Sequence, residues 1–477
     1  MRFLSARIAR FPQSLRVLAG GAIVTCASVA AGQSGDGNQA PPFERGRDLF
    51  TINWKPNLEV GATSDGLGPL YNETSCVACH KQGGVGGAGG NEKNVVLLTR
   101  LTPVAAIVQR VFGENSESAD LGEVHPAFKD RTATSIVLHE HHTKPMYAPW
   151  RREIVESATS QPPRELNLPA DTGLRFIERD GIHYMLSERS APSLFGAGLI
   201  NRISSDAIRE EAERQARDKD PIAGRVPAAG DDVGRFGWRG QIASLRDFVA
   251  GACANELGLT VDDHPQPADP LIEQEAKPRV DMEFKDVNAI AQFIAALPRP
   301  VETAGHNKEI ARGRKLFRTV GCAKCHLEKL DEVQGIYSDL LLHDLGPQLS
   351  DVALPSPTAT AVAQARLPKQ QRNALGRAIE ALPSRDVLTP SPPSIGSYYG
   401  APSASSLASV SSSWRTPPLW GVADTGPYLH DGRADSLEDA IDLHEGEAAG
   451  VTARYRNLPR MAKLNLIDFL ETLEAPQ

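Results

Sequence analysis

Cysteine is scarce in this chain, six in 477 residues. That excludes a disulfide-scaffolded secreted domain, which needs a dense cysteine framework to replace a small core. Aromatics make up only 6%. A basic excess is missing as well: 51 Lys and Arg stand against 59 Asp and Glu, a formal net charge of −8. A surface that tracks phosphates needs the opposite balance, so nucleic-acid binding is disfavoured. No apolar run reaches the roughly 20 residues of a bilayer-spanning helix; Val17–Ala31 comes nearest. What is present is 41% hydrophobic and 23% charged, an ordinary globular composition in a length suited to two or three domains.

Residues 1–31 carry Arg2, Arg7, Arg10 and Arg16 and no acid, then an Ala-, Gly- and Val-rich stretch ending in small residues. This order predicts a secretory signal peptide cut near Ala31, and so a periplasmic or otherwise exported protein with no transmembrane segment in the mature chain. The alternatives are an uncleaved anchor, or lipid attachment at Cys26, which Thr25 fits poorly. Residues 32–42, rich in Gly, Gln and Pro, read as a flexible lead-in.

Beyond it the chain repeats. Gly46-Arg47-Asp48-Leu49-Phe50 returns as Gly313-Arg314-Lys315-Leu316-Phe317, and each copy precedes a Cys-x-x-Cys-His: Cys76, Cys79, His80 and Cys322, Cys325, His326. From Phe to Cys is 26 residues in the first copy and 5 in the second, so the first holds an extra loop. Each copy closes with an amphipathic pattern, Ile290, Phe293, Ile294, Leu297 and Leu466, Phe469, Leu470, Leu473, four apolar residues on one helical face. Pro300 and Pro476 follow. Ser205–Asp220 reads as a solvated helix. Residues 352–412 read as a low-complexity insertion containing a helix over Gln370–Leu382 and ending in a Ser-rich surface loop.

Cys-x-x-Cys-His has a covalent rationale. The spacing turns both thiols to one edge of a macrocycle, where each adds to a vinyl group, and the adjacent His meets the iron as proximal ligand. A zinc site would want its two pairs about 15–20 residues apart; here Cys79 and Cys322 are separated by more than 240. A thioredoxin-like dithiol needs no following His, and two small disulfides would gain little loop entropy. The reading is therefore two covalently bound haem c groups. Cys253 is left as a small buried hydrophobe. With strand-like alternation scarce, the expected fold is mainly α: two cytochrome-c-like haem domains in tandem with inserted loops. The N-terminal one, of peroxidatic type, would span 43–300. The C-terminal one, of electron-transfer type, would span 305–477.

The segment Thr416–Gly432, with Pro427-Tyr428-Leu429-His430-Asp431-Gly432 at its end and Leu437-Glu438-Asp439-Ala440-Ile441 after it, resembles the post-haem region of bacterial di-haem cytochrome c peroxidases and MauG-type enzymes. A closer resemblance is to the di-haem oxidoreductase family, thiol oxidoreductase-like or peroxidase-like. It is carried by Asp65–Asn72, Gly234–Trp238, Leu340–Pro347 and Trp414–Trp420. The resemblance spans most of 43–475, leaving out 352–412. It implies that His430 lies near the peroxide-reducing haem without ligating it, and that His444 falls where the peroxidases place a Met ligand. Bis-His ligation there would lower the reduction potential relative to a thioether. It also implies that Thr425 and Pro427 offer carbonyls to a calcium ion, which favours oxygen ligands. Among His125, His139, His141 and His142, His139 is the candidate distal group, as a removable ligand or an acid–base residue; the alternatives for His139-Glu140-His141-His142 are a stray-metal site and a polar loop.

The expected activity is that of a haem-dependent oxidoreductase, cytochrome c peroxidase-like. A small redox protein or other external donor would supply electrons through the C-terminal haem to an oxidant, hydrogen peroxide or similar, at the N-terminal haem. The alternatives are a pure electron-transfer di-haem cytochrome and a MauG-like enzyme that oxidises another protein.

Overall fold

Four of the helices named below begin where a polar side chain satisfies one of their first N–H groups. In chain order the helices include α1 (Pro42–Thr51), α2 (Cys76–Cys79), α3 (Tyr147–Glu156), α4 (Ser205–Arg217), α5 (Leu245–Leu257), α6 (Phe284–Ala296), α7 (Lys308–Val320), α8 (Leu437–Asp442), α9 (Ala449–Arg456) and α10 (Arg460–Leu470). The side chains of Ser204, Ser244, Asn307 and Ser436 cap α4, α5, α7 and α8. Left-handed Gly258 and Gly321 end α5 and α7, a conformation that costs glycine nothing. The structure, a computed structural model, describes residues 41–57, 64–101, 124–125, 128, 135–163, 172–179, 182–218, 220–267, 269–271, 280–303, 307–353 and 409–476.

The sequence repeat is also a spatial one. α1 packs across α6, and α7 packs across α10. At the first crossing a Cβ on Gly46 would stand 2.0 Å from the Ala289 carbonyl oxygen; at the second, a Cβ on Gly313 would stand 1.8 Å from that of Asn465. Only glycine lets the backbones approach this closely. Beside each crossing two phenylalanines meet, Phe50 with Phe293 at 5.2 Å and Phe317 with Phe469 at 5.5 Å between ring centroids. In both copies the first of the pair reaches the histidine of its motif, His80 or His326, at 6.4 Å.

The expectation of a mainly α protein is overturned: the fold is mixed α and β. A four-stranded antiparallel sheet is built from β1 (Val95–Leu101), β2 (Ser135–Val137), β3 (Arg175–Arg179) and β4 (Ile182–Arg189), in the order β2-β1-β4-β3. Register is set by pairs such as Leu97 with Val137 and Leu98 with Leu186. Six two-stranded ladders accompany it among the described residues. The sheet escaped notice because β1 is buried along most of its length. It therefore reads as an apolar run, Val-Val-Leu-Leu, and not as an alternation. Two cytochrome-c-like domains in tandem do not stand out either. Pro41–Gln477 forms one compact unit. Its largest core cluster joins Phe50, Leu257 and Phe293 with Leu330, Ile336 and Trp420, from both sides of residue 300.

The Ser205 helix forms as expected, although Ile208, Glu211 and Gln215 are buried. The first closing pattern becomes α6, with Leu297 as its cap; the second becomes α10, with Leu473 just beyond it in a short strand. The ends of the insertion pair with each other, Asp351–Ala353 against Ser409–Ser411. The helix expected over Gln370–Leu382 and the signal peptide lie outside the described residues. Among those residues no helix is long and apolar enough to cross a membrane.

Candidate functional site

The second motif follows α7 directly. Gly321, at φ 111°, turns the chain so that Cys322 opens a single tight turn and His326 follows it. His326 Nδ1 lies 3.0 Å from the Tyr337 carbonyl oxygen, to which it donates. Tyr337 itself adopts φ 50°, a costly left-handed conformation for a side-chain-bearing residue, in the segment that presents this carbonyl. His444, one residue past the cap of α8, has the same arrangement: its Nδ1 donates to the Ala440 carbonyl at 2.6 Å. In both rings the proton is thereby placed on Nδ1 and the lone pair on Nε2. Both histidines line one cavity with Cys322 and Cys325, whose apolar wall includes Leu349, Pro418, Leu437 and Ile441. Burial pushes His326 down to about 4, with the proximity of His444 adding to the effect, and burial likewise lowers His444. Both imidazoles are neutral at pH 7.

The first motif forms α2, and His80 follows it with Nδ1 at 3.1 Å from the Gly87 carbonyl. A glycine-rich loop wraps back over this histidine. Gly86 N–H donates to the His80 carbonyl at 2.9 Å. A Cβ on Gly89 would lie 2.8 Å from the Cys79 carbonyl oxygen, so Gly89 passes where a larger residue would not fit. Burial lowers His80, opposed by the Gly87 and Pro192 carbonyls. The four motif cysteines are unpaired thiols, and burial pushes Cys76, Cys79 and Cys322 up to about 12. Beside the first pair Glu256 is pushed up to about 7 by burial, while Asn72 Nδ2 donates to it at 2.7 Å.

His430 is 3% exposed and lines the cavity that holds His326 and His444. Its ring stacks on Trp414. Its Nε2 is 3.5 Å from Asp351 Oδ2 and 3.8 Å from Asp431 Oδ2. Asp351 is paired with buried Arg189. Ser190 N–H donates to the His430 carbonyl at 2.8 Å, and the Ser190–Leu194 stretch continues past His80 at Pro192. His430 is thus tied to the chain that flanks the first motif. Thr425 and Pro427 line the same cavity, and the Gly426 carbonyl between them accepts from Gln82 Nε2 at 2.9 Å.

His139 is placed elsewhere. It is 1% exposed, with Nε2 donating to the Asn255 carbonyl at 2.8 Å, and it does not line the cavity of His430. His142 Nε2 faces Asp269 at 3.0 Å, and His141 contacts Tyr71. Arg415 lines the cavity and is buried; its Nε donates to the Gly237 carbonyl at 2.9 Å. Arg433 is engaged by Asp431 and by the Gln348 carbonyl. Sequence reasoning missed Asp351, Arg189 and Arg239, which carry no local signature. His343 stands in the Leu340–Pro347 segment, where nothing local gives it a role.

Residues 403–473 match the family described as di-haem oxidoreductase, putative peroxidase. That is the family the motifs resemble, and its description names haem and oxidoreductase chemistry. Among solved structures, hydrazine synthase from Kuenenia stuttgartiensis, studied under xenon pressure, is 17% identical. The match covers 60% of this chain and 73% of that one, with a TM-score of 0.31. A MauG-like protein associated with microbial copper homeostasis is 18% identical over 57% of this chain and 90% of that one, with a TM-score of 0.23. Likenesses of that degree say nothing about activity. No curated protein matches the chain.

Proposed function

We propose that this chain is an exported di-haem c-type oxidoreductase that reduces a small oxidant, hydrogen peroxide or similar, with electrons from an external donor such as a small redox protein. One observation carries the reading. His80, His326 and His444 each give Nδ1–H to a backbone carbonyl. This leaves Nε2 as the lone-pair nitrogen, the tautomer and orientation that an iron ligand requires. Two of the three stand beside unpaired Cys-x-x-Cys thiols, and the cavity beside the second motif is walled by apolar side chains. These residues fit the group. Cys76 and Cys79 with His80, and Cys322 and Cys325 with His326 and His444, would hold two haems, whose iron supplies the one-electron chemistry that amino-acid side chains lack. Arg415, buried on the cavity wall, suits a carboxylate of such a group.

The two motifs differ in a way that supports unequal roles. Burial lowers both proximal histidines and a backbone carbonyl opposes it in each, but only His326 has a second histidine, His444, close enough to act on it. The second motif, whose cavity offers two histidines that would hold a haem, suits electron acceptance from the donor. The first suits the oxidant. Peroxide reduction consumes two electrons and two protons and yields two waters, so a proton-handling group must stand nearby. We assign that role to His430, which is neutral through burial, is backed by Asp351, and is joined from the second-motif cavity through Ser190 to the chain that passes His80. His139, buried with Nε2 donating to the Asn255 carbonyl, is a reserve acid–base candidate. The carbonyls of Thr425 and Pro427, which line the cavity, would be the ligands of a calcium ion.

The test uses the purified processed chain. Mass spectrometry should find two covalent haems, one on each cysteine pair. A reduced donor should then be oxidised at the expense of peroxide, and His430→Ala should lower that rate by about 100-fold or more without loss of haem. A colourless protein, or one that binds haem and ignores peroxide, overturns the proposal.

A further inference from the structure

The pocket of the second motif contains a further histidine. His343 lies in a short strand, Leu342–Asp344, paired against Ser413–Arg415, and is 3% exposed. Its Nδ1 is 2.8 Å from Glu447 Oε2 and its Nε2 is 2.9 Å from Asp339 Oδ2. Both partners are carboxylates, so both ring nitrogens act as donors and the ring is an imidazolium. The clamp is itself fixed. Asp339 also accepts from Gln215 Nε2 and from Leu341 N–H, each at 2.9 Å. Glu447 accepts from the N–H groups of Ala223 and Asp344 and pairs with Arg225. The Cys325 sulfur, an Asp339 oxygen and a His343 nitrogen all lie within 4.8 Å of one another.

We propose that His343 is a permanent cation built into the wall of the second-motif pocket, placed against Cys325 to set how readily that site accepts an electron. The proposal rests on the reading that this site carries a haem. A buried positive charge next to a redox group favours its reduced form, and low surrounding polarity strengthens the effect. The two carboxylates oppose it, and their further role is to keep the ring charged: against the cost of burial, Asp339 and Glu447, with Cys325 beside them, hold His343 well above the ordinary imidazole range. Bis-His ligation by His326 and His444 would hold the potential low, and His343 offsets part of that. It acts through charge and touches no substrate, so it is a positioning residue.

The experiment is a spectroscopic redox titration of the full-length holoprotein, with each haem resolved. His343→Gln should make the second site harder to reduce by about tenfold in equilibrium constant, which is about 59 mV for one electron. Glu447→Gln, which removes an opposing negative charge and leaves His343 held by Asp339, should shift the same site the other way. Opposite signs support the proposal; a structural loosening would move both variants alike. Shifts of one sign, or no shift in either, overturn it. Should His343→Gln lose its haem, Glu447→Gln alone decides by direction. A wild-type chain with no haem on Cys322 and Cys325 would overturn the proposed function and this proposal together. Haem present with an unmoved potential overturns only this one.

Discussion

The imidazole of His430 lies flat on the indole of Trp414, ring centroids 3.7 Å apart and planes inclined by 17°. The guanidinium carbon of Arg239 stands 3.9 Å from the same indole centroid. Two groups this close to one ring centre must occupy opposite faces, so Trp414 is clamped between a histidine and an arginine. The far end of the indole is fixed as well, because Nε1 donates to the Leu349 carbonyl at 2.7 Å. Trp414 is therefore the plate that orients His430. Arg239, pushed down to about 9 by burial with Arg189 adding to the effect, still carries its charge at pH 7.

Removing that plate should disturb both stability and proton handling. Trp414→Ala deletes a 4% exposed indole and is expected to cost about 3–5 kcal/mol. Trp414→Phe keeps an aromatic face and loses the bond to Leu349, at a further cost of about 1 kcal/mol beyond its smaller size. Denaturant unfolding checks both, and peroxide turnover should fall in Trp414→Ala more than stability alone explains. An alanine variant as stable as the parent would show that the stack carries no packing energy.

The two helix crossings give a paired prediction. Gly46→Ala and Gly313→Ala each force a methyl group into backbone, not into a side chain that could swing away. Each is expected to destabilise by about 1–3 kcal/mol or more. Because the Gly313 crossing adjoins Phe317 and His326, its variant should also lower haem occupancy at the second motif while sparing the first. Equal losses at both motifs would count against this local coupling.

These crossings show what was legible in the sequence and why. Gly-Arg-x-Leu-Phe and the closing helices were readable because a helix crossing constrains residues three and four apart, a short-range pattern. The Cys-x-x-Cys-His motifs were readable for the same reason. The sheet was not, since Val95–Leu101 is covered on both faces and loses its alternation. The clamp around His430 was half readable. Trp414 and His430 sit in segments with local character, whereas Arg189, Arg239 and Asp351 reach them from three distant strands and loops that only folding brings together. His343 was visible as a residue but silent as a function, because its meaning lies in Asp339 and Glu447, the latter more than a hundred positions away.

Glu256 should impose a pH dependence on stability. Burial raises its carboxyl from 4.5 to about 7 in the folded chain. Between those values the folded state holds a proton that the unfolded state has released, so stability falls as pH rises from 4.5 to 7 and levels off above. Glu256→Gln keeps a neutral side chain next to Asn72 and should remove that slope. Unfolding measured at pH 5 and at pH 7.5 tests it. A variant whose stability changes between the two as much as the parent's would place the titrating group elsewhere.

The role given to His444 can be separated from mere packing by two substitutions with different expected signs. His444→Met replaces an imidazole with a thioether. If His444 faces His326 across a bound iron, the second site should become easier to reduce, since thioether ligation raises the potential. His444→Ala removes the side chain, and the position should then accept added imidazole, with the parent absorption spectrum restored as imidazole is supplied. The backbone around it should hold, because Thr452 Oγ1 still donates to the residue-444 carbonyl and α8 keeps its Ser436 cap. Rescue by a free ligand is the outcome a structural histidine cannot give. An alanine variant whose spectrum and potential match the parent's before any imidazole is added would remove His444 from the ligand set.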